Sequence, residues 1–322
     1  MFHYLILSLS LLANTLGANS LASKIEQPII KPNVSAQSVN NSATKALPIP
    51  KPLPKLTNTT SLSMESQAYL VFDPKSATVL IEKNGYKKRP MASTIKIMTA
   101  ILTVERGKLD DVVTISPKAA SQPGSSAGLR NGEQITVKNL LYGLMLNSGN
   151  DAAMALAEYI SGNEESFVSL MNQRGSELGL TQFHASDPAG LDENPISGTI
   201  MSPYNLAKLM SYSLKFNNLK DIMKTKSIEF TNVDGKIPRT LTNSNRFVTF
   251  DDPRILGGKT GTGSNIGSGG AGHVLVSALE QNGYTFIGVA SGTFADKPTA
   301  SYEQVKKLLN FSFDNIQPKA SE

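Results

Sequence analysis

Residues 91–100 read MASTIKIMTA. Met91, Ile95, Ile97, Met98, Ile101 and Leu102 belong to a stretch built for burial, yet a serine and a lysine stand inside it. On a helix, positions i and i+3 share a face, so Ser93 and Lys96 are expected side by side. A lysine in those surroundings does not read as a solvated surface charge.

On the N-terminal side, QAYLVFD and TVLIEKN flank the turn residues Pro74 to Ala77, a hairpin pattern that leads into the buried helix near Ala92. The middle of the chain reads as helical. In TVKNLLYGLMLN the residues Val137, Leu140, Leu141 and Leu144 follow i, i+3, i+4, i+7, and DAAMALAEYISG and NEESFVSLMNQRGSELG behave similarly. Strand character is expected to return only at the end, in RILGGKTGT, HVLVSALE and YTFIGVASG, with Gln281-Asn282-Gly283 as a turn and a closing helix over roughly 301–309. The economical fold is α/β in the α+β sense: one sheet assembled from both ends of the chain, with a helical lobe inserted between them.

Length and composition are those of a globular protein with a substantial core. The formal net charge of +5 is concentrated before the folded part, since residues 23–63 carry five lysines against one glutamate, and no basic patch interleaved with aromatics argues for nucleic acid. Residues 1–22, with an apolar run from Tyr4 to Leu12 and Ser20-Leu21-Ala22 as a cleavage site, read as a signal peptide, although no Lys or Arg precedes the run. Residues 23–63, rich in Pro, Ser, Asn, Thr and Lys and including ALPIPKPLPKL, read as an extended linker. After signal cleavage no transmembrane segment is expected. The absence of cysteine excludes thiolate catalysis and Cys-ligated zinc, and no paired metal-ligand spacing occurs.

Several short motifs have ordinary explanations. Ser-x-x-Lys occurs at Ser42–Lys45, inside the linker where nothing would desolvate a lysine, and again at Ser93–Lys96. Ser-Gly-Asn occurs at 148–150 and 161–163; Gly162 as helix stop and Asn163 as N-cap explain the second copy, and the same capping chemistry would serve Gly149 and Asp151. Gly124–Gly128 matches G-x-S-x-G without the preceding strand, and Gly267–Gly272 matches G-x-G-x-x-G without a following helix. His184 and His273 read as structural histidines.

Ser93-x-x-Lys96, Ser148-Gly149-Asn150 and Lys259-Thr260-Gly261 occur in that order, each on the element type a joint site requires. Together they resemble the penicillin-binding serine enzymes. KRPMASTIKIMTA, LRNGEQITVKNLLYGLMLNSGNDAA, and LGGKTGT followed by AGHVLVSA narrow the resemblance to the low-molecular-mass D-alanyl-D-alanine carboxypeptidases, over about residues 66–313. The resemblance implies a β-lactamase/transpeptidase-like fold in residues 64–315. It pairs a five-stranded antiparallel sheet lobe (64–107 and 250–315) with a mostly helical lobe (108–249), and the active site lies in the cleft between them.

By the same resemblance Ser93 is the nucleophile, Lys96 the general base and Ser148 the proton relay. Asn150 holds the substrate amide and orients Lys96, Lys259 and Thr260 bind the substrate carboxylate, and the backbone N–H groups of Ser93 and Thr262 form the oxyanion hole. The implied partners are peptidoglycan stem peptides, with β-lactams as covalent inhibitors; no cofactor or metal is implied. An unperturbed lysine of pKa ~10.4 is neutral in roughly one molecule in 2,500 at pH 7, a handicap of about 4.6 kcal/mol. Burial, the positive end of the helix that Lys96 starts, and the ammonium of Lys259 are expected to reduce it.

Two departures from the family pattern stand out. TGSNIGSGG separates Lys-Thr-Gly from Ala271-Gly272, and the resemblance stops near Phe313, so the β-rich second domain and anchoring tail of several family members are not expected here. An endopeptidase acting on D-alanyl cross-links and a non-catalytic wall-binding or β-lactam-sensing module are the competing expectations. A class A β-lactamase would need a deacylating glutamate, for which Glu193 in AGLDENPIS is the nearby candidate in a non-matching context.

Overall fold

The computed structural model describes residues 62–263, 270–295, 297 and 299–316. The apolar N-terminal run, the Ser42–Lys45 copy, nearly all of the Pro-rich stretch and residues 264–269 of the glycine-rich segment lie outside them. The chain begins with the expected hairpin, β1 (Ala68–Asp73) and β2 (Thr78–Lys83), then β3 (Arg89–Pro90), a 3-10 turn at Ala92–Ile95 and α1 (Lys96–Arg106). Next come β4 (Val112–Thr114), α2 (Pro117–Ala120), β5 (Gln134–Thr136), α3 (Val137–Met145), α4 (Asn150–Ser161) and α5 (Glu164–Glu177). Then follow β6 (Phe183–His184), β7 (Ile200–Met201), α6 (Pro203–Ser213), α7 (Asn217–Lys224), β8 (Ser227–Thr231), β9 (Pro238–Thr242) and α8 (Arg246–Thr249). The chain closes with β10 (Ile255–Thr262), β11 (His273–Gln281), β12 (Tyr284–Thr293) and α9 (Ala300–Asn315).

Both ends of the chain contribute to one antiparallel sheet in the order β10-β11-β12-β1-β2. Asn282 and Gly283, with φ of 53° and 75°, make the tight turn between β11 and β12 that their residue types favour. One side of the sheet meets α9 through Val305, Leu308, Leu309 and Phe313, packed with Val71, Leu275 and Phe286. The other side of the sheet packs on α6 and faces the core that holds α1, which is buried without a break from Lys96 to Thr103. A helix apolar all round belongs inside a protein, and its two interior threonines are satisfied locally: Thr99 donates to Pro188 O at 2.7 Å and Thr103 to Thr99 O at 2.8 Å.

The helical reading of the chain's middle needs correcting. Strand character does not wait for the end: β8 and β9 form a hairpin, and β3, β7 and β6 form a small sheet. In SIEFT only alternate side chains are partly covered, so the apolar signal is two residues, Ile228 and Phe230, too weak to stand out among helices. Asp234-Gly235, with Gly235 at φ 75°, supplies the turn. The closing helix also runs past its expected end, to Asn315.

The β8–β9 hairpin has a structural task. Arg239 forms a forked ion pair with Glu133, both side chains almost fully buried, and donates to the carbonyls of Ala127 and Gly128. This fastens the hairpin to residues 123–133. Removing one partner of a buried pair strands the other charge, at a cost of about 3–5 kcal/mol. Glu133→Ala is therefore expected to lower the stability measured by urea unfolding by that amount, whereas a change of less than about 1 kcal/mol would mean the pair is solvated, as surface pairs are.

Candidate active site

The site forms where the 3-10 turn, the start of α4 and the edge strand β10 converge. Ala92 precedes the serine with φ 45°, a conformation costly for a residue with a Cβ. Two glycines make room for that bend. Gly190 sits at φ 78° with its backbone against Ala92, where a Cβ would fall 2.1 Å from Ala92 O. At Gly261 a Cβ would stand 3.0 Å from Met91 O and 3.2 Å from Ser93 N, so the glycine of Lys-Thr-Gly lets β10 lie directly on the serine's turn.

Lys96 is completely buried. Its Nζ lies 2.8 Å from Ser93 Oγ, 2.7 Å from Asn150 Oδ1 and 2.7 Å from Ala189 O. Two of these neighbours only accept hydrogen bonds, so they take the two N–H groups of a neutral amine and aim its lone pair at the Ser93 hydroxyl. The amide of Asn150 is fixed in orientation, because its Nδ2 donates to Pro123 O at 2.6 Å. Burial, and next the charge of Lys259, push the Lys96 pKa well below its ordinary value. Asp187 and Asp151 pull the other way, an opposition the sequence had not suggested.

Across the site, Lys259 is equally buried and donates to Ser148 Oγ at 2.9 Å and Thr260 O at 2.9 Å. Ser148 occupies the left-handed region, φ 59°, in the short link between α3 and α4. Thr260 shares a 2.6 Å hydrogen bond with Ser244, and Thr262, at the exposed end of β10, carries a backbone N–H on the edge of the sheet. Lys259 has no carboxylate partner among the described residues, and burial lowers its pKa to about 7. The seven sequence-predicted residues come from the 3-10 turn and the first residue of α1, the link into α4 and its first residue, and β10: Ser93 and Lys96 are in contact, Asn150 joins them, and Ser148 and Lys259 form a second pair.

Other residues of the site were invisible to motif reading. Asp187 accepts from the backbone N–H groups of Ala189, Gly190, Leu191 and Asp192 and from Thr199 Oγ1, and so holds the Ala189 carbonyl on Lys96. Asp-Pro-Ala-Gly carries a turn signal, but nothing in it names a lysine as the target. Asp151 does more than cap: it accepts from Ser126 Oγ, Ala127 N and Leu129 N as well as Ala152 N, clasping the segment that had matched G-x-S-x-G. Glu193 accepts from Ala271 N beside Gly263 rather than meeting Lys96. His184 is exposed on β6, and His273 pairs with Thr262 at the start of β11. Asn163 and Gly162 cap helices, as their residue types foretold. Among the described residues no cluster of three side chains is suited to a metal.

A serine presented by a bent turn to a buried amine, beside a sheet edge that carries a second lysine, belongs to the fold of the penicillin-binding serine transpeptidases. The solved Streptomyces K15 DD-transpeptidase shows the likeness with a TM-score of 0.71 and 29% identity, covering 80% of this chain and all of that one. The chain is a member of the D-alanyl-D-alanine carboxypeptidase family, peptidase S11, whose sequence profile matches residues 55–295. D-alanyl-D-alanine carboxypeptidase DacF of Bacillus subtilis is 34% identical over 265 residues, 80% of this chain and 65% of the relative. DacC of Escherichia coli is 32% identical over 262 residues, 78% and 62% respectively. The match thus spans just under two thirds of the length of these two relatives.

Lys259 binds its proton more weakly in the folded protein than in the unfolded chain, where the ordinary value is 10.5. Unfolding therefore takes up a proton between about pH 7 and pH 10.5, and stability contributed at this position rises with pH across that window. Lys259→Met is expected to flatten the rise in urea midpoint over this range relative to the parent. Parallel pH profiles for the two proteins would show that Lys259 keeps an ordinary pKa.

Proposed function

We propose that this chain is a serine-type D-alanyl-D-alanine carboxypeptidase that removes the terminal D-alanine of peptidoglycan stem peptides through an acyl-enzyme, and that β-lactams acylate the same serine. The observation that carries the reading is the 2.8 Å contact between Lys96 Nζ and Ser93 Oγ, with the amine's other hydrogen bonds taken by Asn150 Oδ1 and Ala189 O. In the neutral form Lys96 takes the hydroxyl proton as Ser93 Oγ attacks the D-alanyl carbonyl. The developing oxyanion is stabilised by the N–H groups of Ser93 and Thr262.

Lys259 and Thr260 receive the substrate's terminal carboxylate, whose arrival favours the charged form of Lys259. Ser148, hydrogen-bonded to Lys259, relays the proton to the departing amine. With Oδ1 on Lys96 and one N–H on Pro123, Asn150 chiefly orients the base and keeps its other N–H for the substrate amide. Water then hydrolyses the acyl-enzyme. Residues 64–107 with 250–315, and residues 108–249, would act as the two lobes of the cleft; residues 1–22 would direct export to the extracytoplasmic wall space. No helix among the described residues is long and apolar enough to cross a membrane.

The test is mass spectrometry of the chain and its Ser93→Ala variant. The parent is expected to carry a benzylpenicillin adduct on Ser93 and to release one D-alanine from a pentapeptide, and the variant to do neither. Adduct without release would make this a sensing module; cleavage of a cross-linked dimer instead of the pentapeptide would make it an endopeptidase; a labelled variant would place the nucleophile elsewhere.

A further inference from the structure

A cavity of about 450 Å³ lies outside the residues just described and is lined by Lys83, Lys87, Lys88 and Arg89 together with Gln67 and Pro195. Its lining contains no carboxylate. None of its four cations forms an ion pair among the described residues, although eight such pairs form elsewhere. Like charges gathered without counterions raise the potential of a groove and the local concentration of anions.

Arg89 distinguishes this groove from a merely basic surface. Its guanidinium is half-buried, donates from Nη2 to Gln67 Oε1 at 2.9 Å and lies over Gly292, where a Cβ would come within 2.2 Å of Nη2. Its Nε is enclosed with no acceptor. Arg89 therefore acts on the groove through its charge, which no carboxylate offsets among the described residues. Burial lowers the Arg89 pKa, as expected of a cation enclosed without an anion.

The groove also adjoins the active site. Arg89 and Pro90 form β3, and Ser93 follows four residues after Arg89, at most about 14 Å along an extended chain. On its other wall Pro195 belongs to the loop that begins with Asp187 and Ala189 and therefore touches Lys96. A long polymer with one segment in the cleft could reach it with another.

We infer that this groove is a subsite for an anionic segment of the wall polymer, carboxylate- or phosphate-bearing, which it holds beside the cleft while Ser93 acts on a stem peptide. The inference rests on the functional reading above. A groove lined by four cations without counterions suits an anionic group better than a surface of mixed charge would.

The experiment is co-sedimentation of the full chain with purified wall sacculi, intact and stripped of phosphodiester-linked polymers by hydrofluoric acid, each at low and high salt. The Lys87→Ala/Lys88→Ala variant changes two exposed side chains; Lys83→Ala/Lys87→Ala gives an independent second variant. Both are expected to bind intact sacculi about tenfold more weakly than the parent at low salt, with the difference vanishing at high salt. A difference that persists on stripped sacculi assigns the groove to carboxylates; one that disappears with stripping assigns it to phosphates. Equal sedimentation of parent and variants at low salt would overturn the inference. Benzylpenicillin labelling of the parent in the same samples separates the two readings: an unlabelled chain refutes the proposed function, whereas a labelled chain with equal sedimentation refutes only the subsite.

Discussion

The arrangement depends on one solvation problem, a lysine amine held where no water reaches it. Lys96 has three hydrogen-bonding neighbours and no carboxylate in contact. Either protonation state can satisfy those neighbours geometrically, so the balance of charge and burial decides between them. Desolvation penalises the ammonium, and Lys259 adds repulsion. Asp187 and Asp151 oppose both, and each is engaged by several hydrogen-bond donors of its own. Their hydrogen bonds hold the surrounding segments in place and also satisfy the carboxylates.

Much of the surrounding structure serves to keep that amine enclosed. The Asp187 turn delivers the Ala189 carbonyl, and the segment clasped by Asp151 delivers the Pro123 carbonyl that fixes Asn150. Arg239 and Glu133 brace the same segment from the β8–β9 hairpin. Gly190 is required because a side chain there would collide with the Ala92 backbone, and Gly261 leaves β10 in tight contact with the backbone of Met91 and Ser93. These contacts join residues far apart in the chain, which explains why a site of so few reacting atoms needs most of the domain to form.

That distribution also decides what could be read in advance. The sheet was legible because its strands are long and strongly apolar, and α3, α4 and α5 because their periodicity is regular. Ser93, Lys96, Ser148, Asn150 and the β10 residues were legible because their spacings recur as a set and each lies on a suitable element. The β8–β9 hairpin was missed because a half-exposed two-stranded ribbon carries little apolar signal. Asp187, Ala189 and Pro123 were missed for a different reason: two act through main-chain carbonyls, which any residue possesses, and the third through hydrogen bonds to consecutive backbone N–H groups. Ser244, which meets Thr260, lies in a polar stretch whose composition suggests only a loop.

Whether the buried Lys96 amine is neutral is measured directly by nuclear magnetic resonance of lysine side chains labelled at Nζ. Assigned by its loss in a Lys96→Arg variant, the Lys96 signal is expected to titrate well below the ordinary lysine range, while Lys259 titrates near pH 7. An ammonium signal for Lys96 that persists above pH 9 would contradict the depressed pKa and leave the proposed acyl transfer without its base.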